Sequence, residues 1–386
     1  MFNKIEQFFD NLFMAVQPVP AGIYQYQAPA DAPLPYKWHL RIEADGTGLL
    51  VLNASTVLHI NNTAAEYAYY LAQGKKKAEI VQRVVERYDV EKAQAEKDLD
   101  EFIEKVTLLI ESEDLDPVTY LDMERVTPHT KKLSAPLRID CALTYKVSPG
   151  TESAVAPIER VTRELTTREW ETILEAVWNA GIPHVVFTGG EPTLRDDLPD
   201  LISKTEQIGL VSGILTDGLK LVDKKYLATL LNSGLDHIML LANETSKDFW
   251  KALKLLMPAD IAVTVHVTLT ESNQADFIAF LDKLAKEGVT SISLSAEEES
   301  LSKQLEEASQ KTAELGMRLV WDLPVPYSAS HPLALEQRDA GNHMDEGAGK
   351  TWLYVEPDGD VLPAQGINRV MGNILRDPWS KIWKRR

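Results

Sequence analysis

The chain has 386 residues and a formal net charge of −18, from 58 acidic and 40 basic side chains. Hydrophobic residues make up 44% of it, enough for a sizeable core, which excludes disorder throughout. The acidic balance argues against a nucleic-acid-binding protein that works by broad neutralisation of phosphates. The single cysteine, Cys141, excludes an intrachain disulfide and a cluster of thiolate ligands built from this chain alone.

Residues 1–36 are predicted to be an N-terminal helix and a connector. Apolar residues recur at helical spacing over residues 1–16, and acidic side chains interrupt what would be a signal-peptide core. We expect this helix to dock on the protein or on a partner. Residues 17–36 are rich in Pro and Ala and predict an extended connector. No apolar run is long enough to span a bilayer, so the expected location is the cytoplasm.

Residues 37–112 predict a small α+β domain of the winged-helix-like kind. Two strands meet at a turn over residues 45–48, and a third short strand reads STVLHIN. Three helices with apolar faces follow. The first is predicted to begin with a capping box, in which Thr63 and Glu66 satisfy free amides at the helix start.

After a linker at residues 113–135, residues 136–323 alternate strands and helices. This order predicts parallel strands with right-handed crossovers, and a capping box from Thr166 to Glu169 marks the first helix. About six strand–helix units predict an α/β fold, a partial (β/α)6 TIM-like barrel whose ligands bind at the C-terminal ends of the strands. Residues 324–386 predict a short extension with a hairpin at Pro-Asp-Gly.

The sharpest local motif is Gly189-Gly190-Glu191-Pro192, directly after the strand HVVFT. Two glycines allow a tight turn and are expected to leave backbone amides and carbonyls open to a close ligand. Glu191 places a carboxylate at the end of the strand, where it suits an ammonium group, and Pro192 stiffens the exit. From these four residues alone, an ordinary strand–helix turn stays open as the alternative.

Together these segments resemble the radical S-adenosylmethionine (radical SAM) superfamily, in members with a SPASM-type C-terminal extension. FTGGEPTLRDDLPDLI resembles the GGEP segment of that family, and LTDG at 215–218 resembles its T-N-G turn. YVEPDGDVLPAQG followed by GNILRDPWSKIW resembles the SPASM extension. Residues 37–112, with NNTAAEYAYYLAQG, resemble the peptide-recognition domain typified by coenzyme PQQ synthesis protein D, a RiPP recognition element, which binds a precursor peptide by adding a strand to its sheet.

The resemblance implies a set of residues that would bind S-adenosylmethionine if this function is retained. They are Gly189, Gly190, Glu191, Pro192, Thr216, Asn243 and His266. Asn243 stands at the aspartate position of a strand that ends in S-L-D in the family. His266 lies in mid-strand, where it either points into the barrel or is a satisfied core histidine.

The chain departs from the family at every cysteine that would bind a 4Fe–4S cluster. The positions of the lost ligands are Val147, Thr151 and Ala154 in the loop after the first barrel strand, and Ser328 and Ala364 in the extension. Val and Ala have no ligand atom, and a Thr hydroxyl is a poor ligand for such iron. No metal ligand is therefore predicted, and Cys141 is interpreted as a small buried apolar residue.

These features predict a radical SAM/SPASM-like protein of RiPP-type peptide maturation that is a non-catalytic peptide-binding or scaffold homologue. Its expected partners are a precursor peptide, bound by the N-terminal domain, and an intact radical SAM enzyme. Two alternatives stay open: an enzyme that binds S-adenosylmethionine for non-radical chemistry, and a radical SAM peptide-modifying enzyme whose cysteines were replaced. The acidic run at residues 297–299 is interpreted as a solvated face that would also repel anionic ligands.

Overall fold

The computed structural model describes residues 19–28, 36–53, 56–111, 133–149, 161, 163–320, 347–365 and 367–383. The chain divides into two compact units, Met1–Ser134 and Ala135–Arg386. We call them the N-terminal unit and the C-terminal unit. The predicted helix over residues 1–16 and nearly all of the predicted linker at 113–135 lie outside the described residues.

The N-terminal unit is an antiparallel sheet with helices against one face. The strands are β1 (Gly22–Gln27), β2 (Lys37–Ile42), β3 (Gly48–Leu52) and β4 (Thr56–Ile60), in that spatial order. The helices are α1 (Asn62–Ala72), α2 (Lys77–Tyr88) and α3 (Lys92–Glu111). Alternate strand residues, among them Leu40, Leu50 and Leu58, join the helices in one apolar core.

Two predictions for this unit were incomplete or wrong. The predicted connector contains β1, which pairs with β2 along its whole length because Tyr24 and Tyr26 pack against aromatic side chains of the unit. The capping box at Thr63 was wrong, since the cap of α1 is Asn61, whose side chain accepts from the amide of Ala64. Glu66 instead lies buried and accepts from Tyr88.

The C-terminal unit contains parallel strands that follow the chain order across the sheet. These strands are β5 (Arg138–Thr144), β6 (His184–Gly189), β7 (Val211–Thr216), β8 (His237–Leu241), β9 (Ala262–Leu269), β10 (Ser291–Ala296) and β11 (Arg318–Leu319). The helices between them are α4 (Thr167–Ala180), α5 (Leu198–Ile208), α6 (Lys224–Asn232), α7 (Lys247–Leu256), α8 (Phe277–Lys286) and α9 (Ser302–Glu314). The predicted α/β class and partial (β/α)6 barrel are confirmed, and the capping box at Thr166 forms as predicted.

The C-terminal extension continues this sheet on the other side of β5. The predicted hairpin forms from β12 (Trp352–Val355) and β13 (Asp360–Leu362), and β14 (Gly372–Asn373) pairs with β13. β12 runs parallel to β5, so the sheet is mixed, with β11 and β14 as its outermost described strands. The short helix α10 (Trp379–Ile382) ends the described part of the chain.

The two faces of the large sheet differ in chemistry. The outer face packs on the helices through a continuous apolar core that includes Ile139, Cys141 and Phe187. The inner face carries smaller apolar clusters, one of which joins Val186, Leu215, Met239 and Leu241. No helix among the described residues is long and apolar enough to cross a membrane.

A buried polar cluster closes the inner face where the strands begin. Arg138 donates twice to Asp140, at 2.7 and 3.1 Å, and the Nε2 atoms of His184 and His237 lie 2.7 Å apart. A Cβ on Gly213 would lie 2.0 Å from the His237 ring, so only glycine at this position leaves room for the ring. Burial, with a smaller effect of Arg138, lowers the pKa of His237 to about 4.

Candidate functional site

The GGEP turn lies against the loop that follows β5. A Cβ on Gly189 would lie 2.1 Å from the Thr144 carbonyl oxygen, and one on Gly190 would lie 2.0 Å from that of Lys146. The amides of Gly190 and Glu191 donate to these two carbonyls, each at 2.7 Å. The prediction that the glycines leave these amides open to a ligand was therefore wrong. The glycines serve instead to let two backbone segments touch.

The Glu191 carboxylate is surrounded by donors of its own chain. Its Oε1 accepts from the amide of Thr193 at 3.0 Å, from the Thr193 hydroxyl at 2.6 Å and from the Thr216 hydroxyl at 2.8 Å. Its Oε2 accepts from the amide of Asp217 at 2.8 Å. The side chain is 3% exposed. Glu191 thus joins the ends of β6 and β7, with Pro192 as the first residue of the short turn that contains Thr193.

The surroundings of Glu191 disfavour the ionised form of its carboxyl group. Burial and the nearby negative charge of Asp217 raise the pKa of the Glu191 carboxyl to about 7, although hydrogen bonds from Thr193 and from the Asp217 amide oppose the shift. Lys220 lies close by, but its ammonium donates to the Thr193 carbonyl at 2.8 Å. Lys220 therefore contacts the backbone of the turn that follows Glu191.

The remaining two predicted S-adenosylmethionine residues lie in hydrogen-bond networks of their own. Asn243 is exposed after β8, and its Oδ1 accepts from the Thr245 hydroxyl at 2.9 Å. His266 lies in β9, with its ring nitrogens 3.1 Å from the hydroxyls of Ser293 and Ser295 on β10. Burial lowers the pKa of His266 to about 4, so the ring is neutral near pH 7. His266 thus lies on the inner, barrel-facing side of the sheet, where it is buried and hydrogen-bonded, so it combines the two alternatives that the sequence left open.

The residues at the predicted cluster positions do not fit an iron–sulfur cluster. Val147 is half-buried in the loop after β5, and Ala364 packs with Ala348 and Trp352. Thr151, Ala154 and Ser328 lie outside the described residues. Cys141 faces the helices, and burial raises the pKa of its thiol above the ordinary range. Within the described part of the chain, no group of three or more His, Cys, Asp or Glu side chains could hold a metal ion.

The geometry also disagrees with Glu191 as a free anchor for the amino group of S-adenosylmethionine, because the carboxylate is already engaged by four donors. One polar group on the inner face stays unsatisfied, however. The hydroxyl of Thr188 is fully buried and has no hydrogen-bond partner among the described residues. Thr188 lies three residues before Glu191 and shares its face of β6 with Val186.

Sequence reasoning missed three members of this site. Thr193 and Asp217 bind Glu191, and Tyr145 lies between the two loop carbonyls that hold the GGEP turn. Tyr145 also donates to Glu356 at the end of β12, at 2.9 Å. The hydroxyl two residues after Glu191 was a visible signal for Thr193. Nothing local to Tyr145 indicated Glu356, which is 211 residues away.

Family profiles match both units. Residues 141–256 match the Radical SAM superfamily, and residues 48–107 match the family of coenzyme PQQ synthesis protein D (PqqD). The chain carries a radical SAM domain preceded by a PqqD domain. The radical SAM match covers β5 to α7 and includes the GGEP turn, and the PqqD match covers β3, β4 and nearly all of the three helices.

Curated relatives and solved structures agree with these matches. The chain is 25% identical to the PqqA peptide cyclase of Granulibacter bethesdensis over 58% of this chain and 66% of that protein. It is 25% identical to that of Streptomyces rochei over 65% and 76%, respectively. SuiB of Streptococcus suis, solved with its precursor peptide SuiA, superimposes with a TM-score of 0.57 at 15% identity, over 95% of this chain and 88% of SuiB. SuiB bound to S-adenosylmethionine gives a TM-score of 0.55 at 16% identity, over 93% and 88%. The chain is thus homologous to PqqA peptide cyclases and shares the fold of SuiB.

Proposed function

We propose that this protein binds a precursor peptide through its N-terminal unit and acts as a non-catalytic member of a peptide-maturation system. The PqqD match over residues 48–107 supports the peptide, as does the fold shared with SuiB, which was solved with a precursor peptide. The missing thiolate ligands support the absence of radical chemistry, since a chain with one cysteine cannot supply three. An intact radical SAM enzyme is the partner that such a scaffold would serve.

The observation that carries the peptide proposal is the edge of β4. Among the described strands, β4 pairs with β3 alone, so its other edge is available to an added strand. Along a strand of an antiparallel pair, the backbone N–H and C=O groups of successive residues point alternately toward and away from the partner strand. The backbone hydrogen bonds from Asn53 to Lys37 and from Glu43 to Thr47 show which residues of β2 and β3 point toward each other, and the alternation extends from there to β1 and β4. It places the N–H and C=O of Val57 on the outer edge of β4.

The alternation also allows a matched pair of substitutions. The backbone N–H and C=O groups of Tyr24 and Tyr26 point toward β2. Those of Ile23, on β1, therefore point outward from the opposite edge of the same sheet. Proline lacks the N–H and is tolerated on an edge strand where that N–H faces outward. Val57→Pro and Ile23→Pro therefore each remove one outward donor and leave the pairing within the sheet intact.

The test is fluorescence anisotropy with a labelled synthetic copy of the short peptide encoded nearest to the gene of this protein. We expect Val57→Pro to weaken binding at least tenfold, about 1.4 kcal/mol, because the added strand loses a backbone hydrogen bond and meets the proline ring. Ile23→Pro is expected to bind like the wild type. Equal binding by both variants, or loss in Ile23→Pro alone, would contradict strand addition at β4.

The alternative function, S-adenosylmethionine binding for non-radical chemistry, has weaker support. The superfamily match and the unsatisfied Thr188 hydroxyl favour a ligand at the inner face. The engagement of Glu191 by Thr193, Thr216 and Asp217 removes the amine anchor that the family resemblance implies. Binding of S-adenosylmethionine therefore has less support than binding of a precursor peptide.

A further inference from the structure

Two histidines at the N-terminal end of the barrel strands meet across a strand that lies between them. His184 is the first residue of β6 and His237 is the first residue of β8, and β7 separates the two strands in the sheet. Their Nε2 atoms lie 2.7 Å apart, and the rings meet edge to face with their centroids 4.9 Å apart. We call this contact the histidine strap. It joins two strands that are not neighbours in the sheet.

The strap can pass over β7 because that strand has a glycine at this level. Gly213 pairs with Val186 of β6 on one side and with His237 of β8 on the other. A Cβ on Gly213 would lie 2.0 Å from Cε1 and 2.1 Å from Nε2 of the His237 ring. Since Nε2 is the atom that contacts His184, a side chain at position 213 would separate the two rings.

The contact depends on the protonation of the two rings. A neutral imidazole carries a proton on one of its nitrogens, so the Nε2–H of one ring donates to the bare Nε2 of the other. When both rings are ionised, each Nε2 carries a proton, the hydrogen bond is lost and two positive charges face each other. The strap therefore holds only while at least one of the two rings is neutral.

The residues around the strap disfavour a positive charge there. Arg138 of β5 pairs with His184, and its guanidinium is held by two hydrogen bonds to Asp140. The residues that pair with the two histidines on the other adjoining strands carry no charge: Val211, Gly213 and Ala262. Asp236, just before β8, accepts from the amide of Ser212 at 2.7 Å. Among these neighbours, the fixed charge nearest in register to the strap is therefore a cation.

The pKa of His237 sets the pH range in which the strap responds. Burial, and to a smaller extent Arg138, lowers this pKa from 6.5 to about 4. A ring released into water ionises near pH 6.5, so below that pH the released state binds more protons than the closed strap. Release is therefore favoured as the pH falls from 6.5 toward 4, and the strap is stable above this range.

We propose that the histidine strap is an acid-sensitive latch in the barrel, closed near neutral pH and released in mild acid. When closed, it holds the N-terminal ends of β6 and β8 together over β7. Release lets the rings turn toward water at this end of the sheet, where His237 is already half-buried rather than buried. The inference is independent of the proposed function, which concerns peptide binding by the N-terminal unit.

Hydrogen exchange of the full chain, followed by mass spectrometry, measures release in β6 and β8. From about pH 7 to about pH 5, we expect the protection factors of these strands to fall at least tenfold, because only the released His237 ring takes up a proton. The double variant His184→Gln with His237→Gln carries amides that can hydrogen-bond but cannot ionise, and it should lose less than about threefold. Equal losses in the wild type and the double variant overturn the proposal.

A second histidine on the inner face provides the matched control. His266 contacts Ser293 and Ser295 on the adjacent strand and crosses no intervening strand, and burial also lowers its pKa to about 4. His266→Gln should therefore keep the wild-type loss of protection in β6 and β8. If His266→Gln abolishes that loss, the acid effect does not come from the strap and the proposal fails.

Two further measurements do not depend on the double variant. Gly213→Ala should lower the protection of β6 and β8 at neutral pH to the acid level, because its Cβ displaces the His237 ring without removing a titratable group. Wild-type protection in Gly213→Ala would overturn the proposal. In the wild type, NMR of the histidine ring nitrogens at neutral pH should find a proton on one of the two Nε2 atoms and none on the other. Protons on both Nε2 atoms would also overturn it.

Discussion

Glu191 shows how a residue can keep its motif and change its task. The GGEP sequence places its carboxylate at the end of β6, where an ammonium group could meet it. In the folded chain, Thr193, Thr216 and the Asp217 amide occupy that carboxylate, and burial with the Asp217 charge raises its pKa to about 7. Its principal contribution is to hold the ends of two neighbouring strands together.

The raised pKa predicts a pH-dependent effect of Glu191→Gln. In the unfolded chain a Glu side chain ionises near pH 4.5, whereas the buried carboxyl holds its proton to about pH 7. The folded wild type therefore loses stability relative to the variant as pH rises from about 4.5 to about 7, by roughly 3 kcal/mol. Denaturant unfolding of both proteins across this pH range measures the difference. A stability difference that stays constant with pH, or a wild type that gains stability relative to the variant as pH rises, would show that the pKa of Glu191 is not raised in the folded chain.

At the scale of elements, the site depends on contact between two backbone segments. The loop after β5 and the turn after β6 meet at Gly189 and Gly190, and two amide–carbonyl hydrogen bonds join them. The same loop contributes Tyr145, which donates to Glu356 after β12. Hydrogen bonds thus join the C-terminal ends of three neighbouring strands, β6, β5 and β12.

This contact predicts that Gly190→Ala is strongly destabilising. The added Cβ would lie 2.0 Å from the Lys146 carbonyl oxygen and 2.8 Å from the Tyr145 carbonyl carbon, so backbone must move, at a cost of about 2 kcal/mol or more. Gly316→Ala is the control, because a Cβ there meets nothing within 4 Å, although the positive φ costs about 1 kcal/mol. Chemical denaturation compares the two. If Gly190→Ala lowered the free energy of unfolding less than Gly316→Ala, the loop after β5 would be able to move away from the added Cβ at little cost.

At the scale of the whole molecule, the chain combines a match to the Radical SAM superfamily with a single cysteine, which is too few to supply three thiolate ligands. The α/β barrel strands, the GGEP turn and the hairpin of the extension are all present. The one cysteine faces the helices from β5, and Ala364, at the position of a lost ligand, packs against Trp352 in the extension.

We therefore expect anaerobic reconstitution with iron and sulfide to leave the wild-type chain without stoichiometric iron. The matched variant carries Val147→Cys, Thr151→Cys and Ala154→Cys, which restores three thiolates in the loop after β5. Iron analysis and visible absorption distinguish the two proteins, and iron gained by the variant alone would assign the loss of the cluster to these positions. Stoichiometric iron in the wild type would refute the non-catalytic proposal.

Features that depend on neighbours along the chain could be predicted from the amino-acid sequence alone. Alternating strand and helix patterns predicted the parallel barrel, Thr166 with Glu169 predicted a capping box, and the Pro-Asp-Gly turn predicted the hairpin of β12 and β13. The absence of thiolates is also a property of composition, which folding cannot change.

Only the tertiary structure decided what each buried polar group contacts. β12 lies beside β5, β1 covers the edge of β2, and Glu191 binds a hydroxyl 25 residues away. Periodicity reports which side of an element is apolar, but it carries no information about which distant element packs there. Whether a carboxylate anchors a ligand or its own fold depends on those distant donors, and so the role of Glu191 could be assigned only from the folded chain.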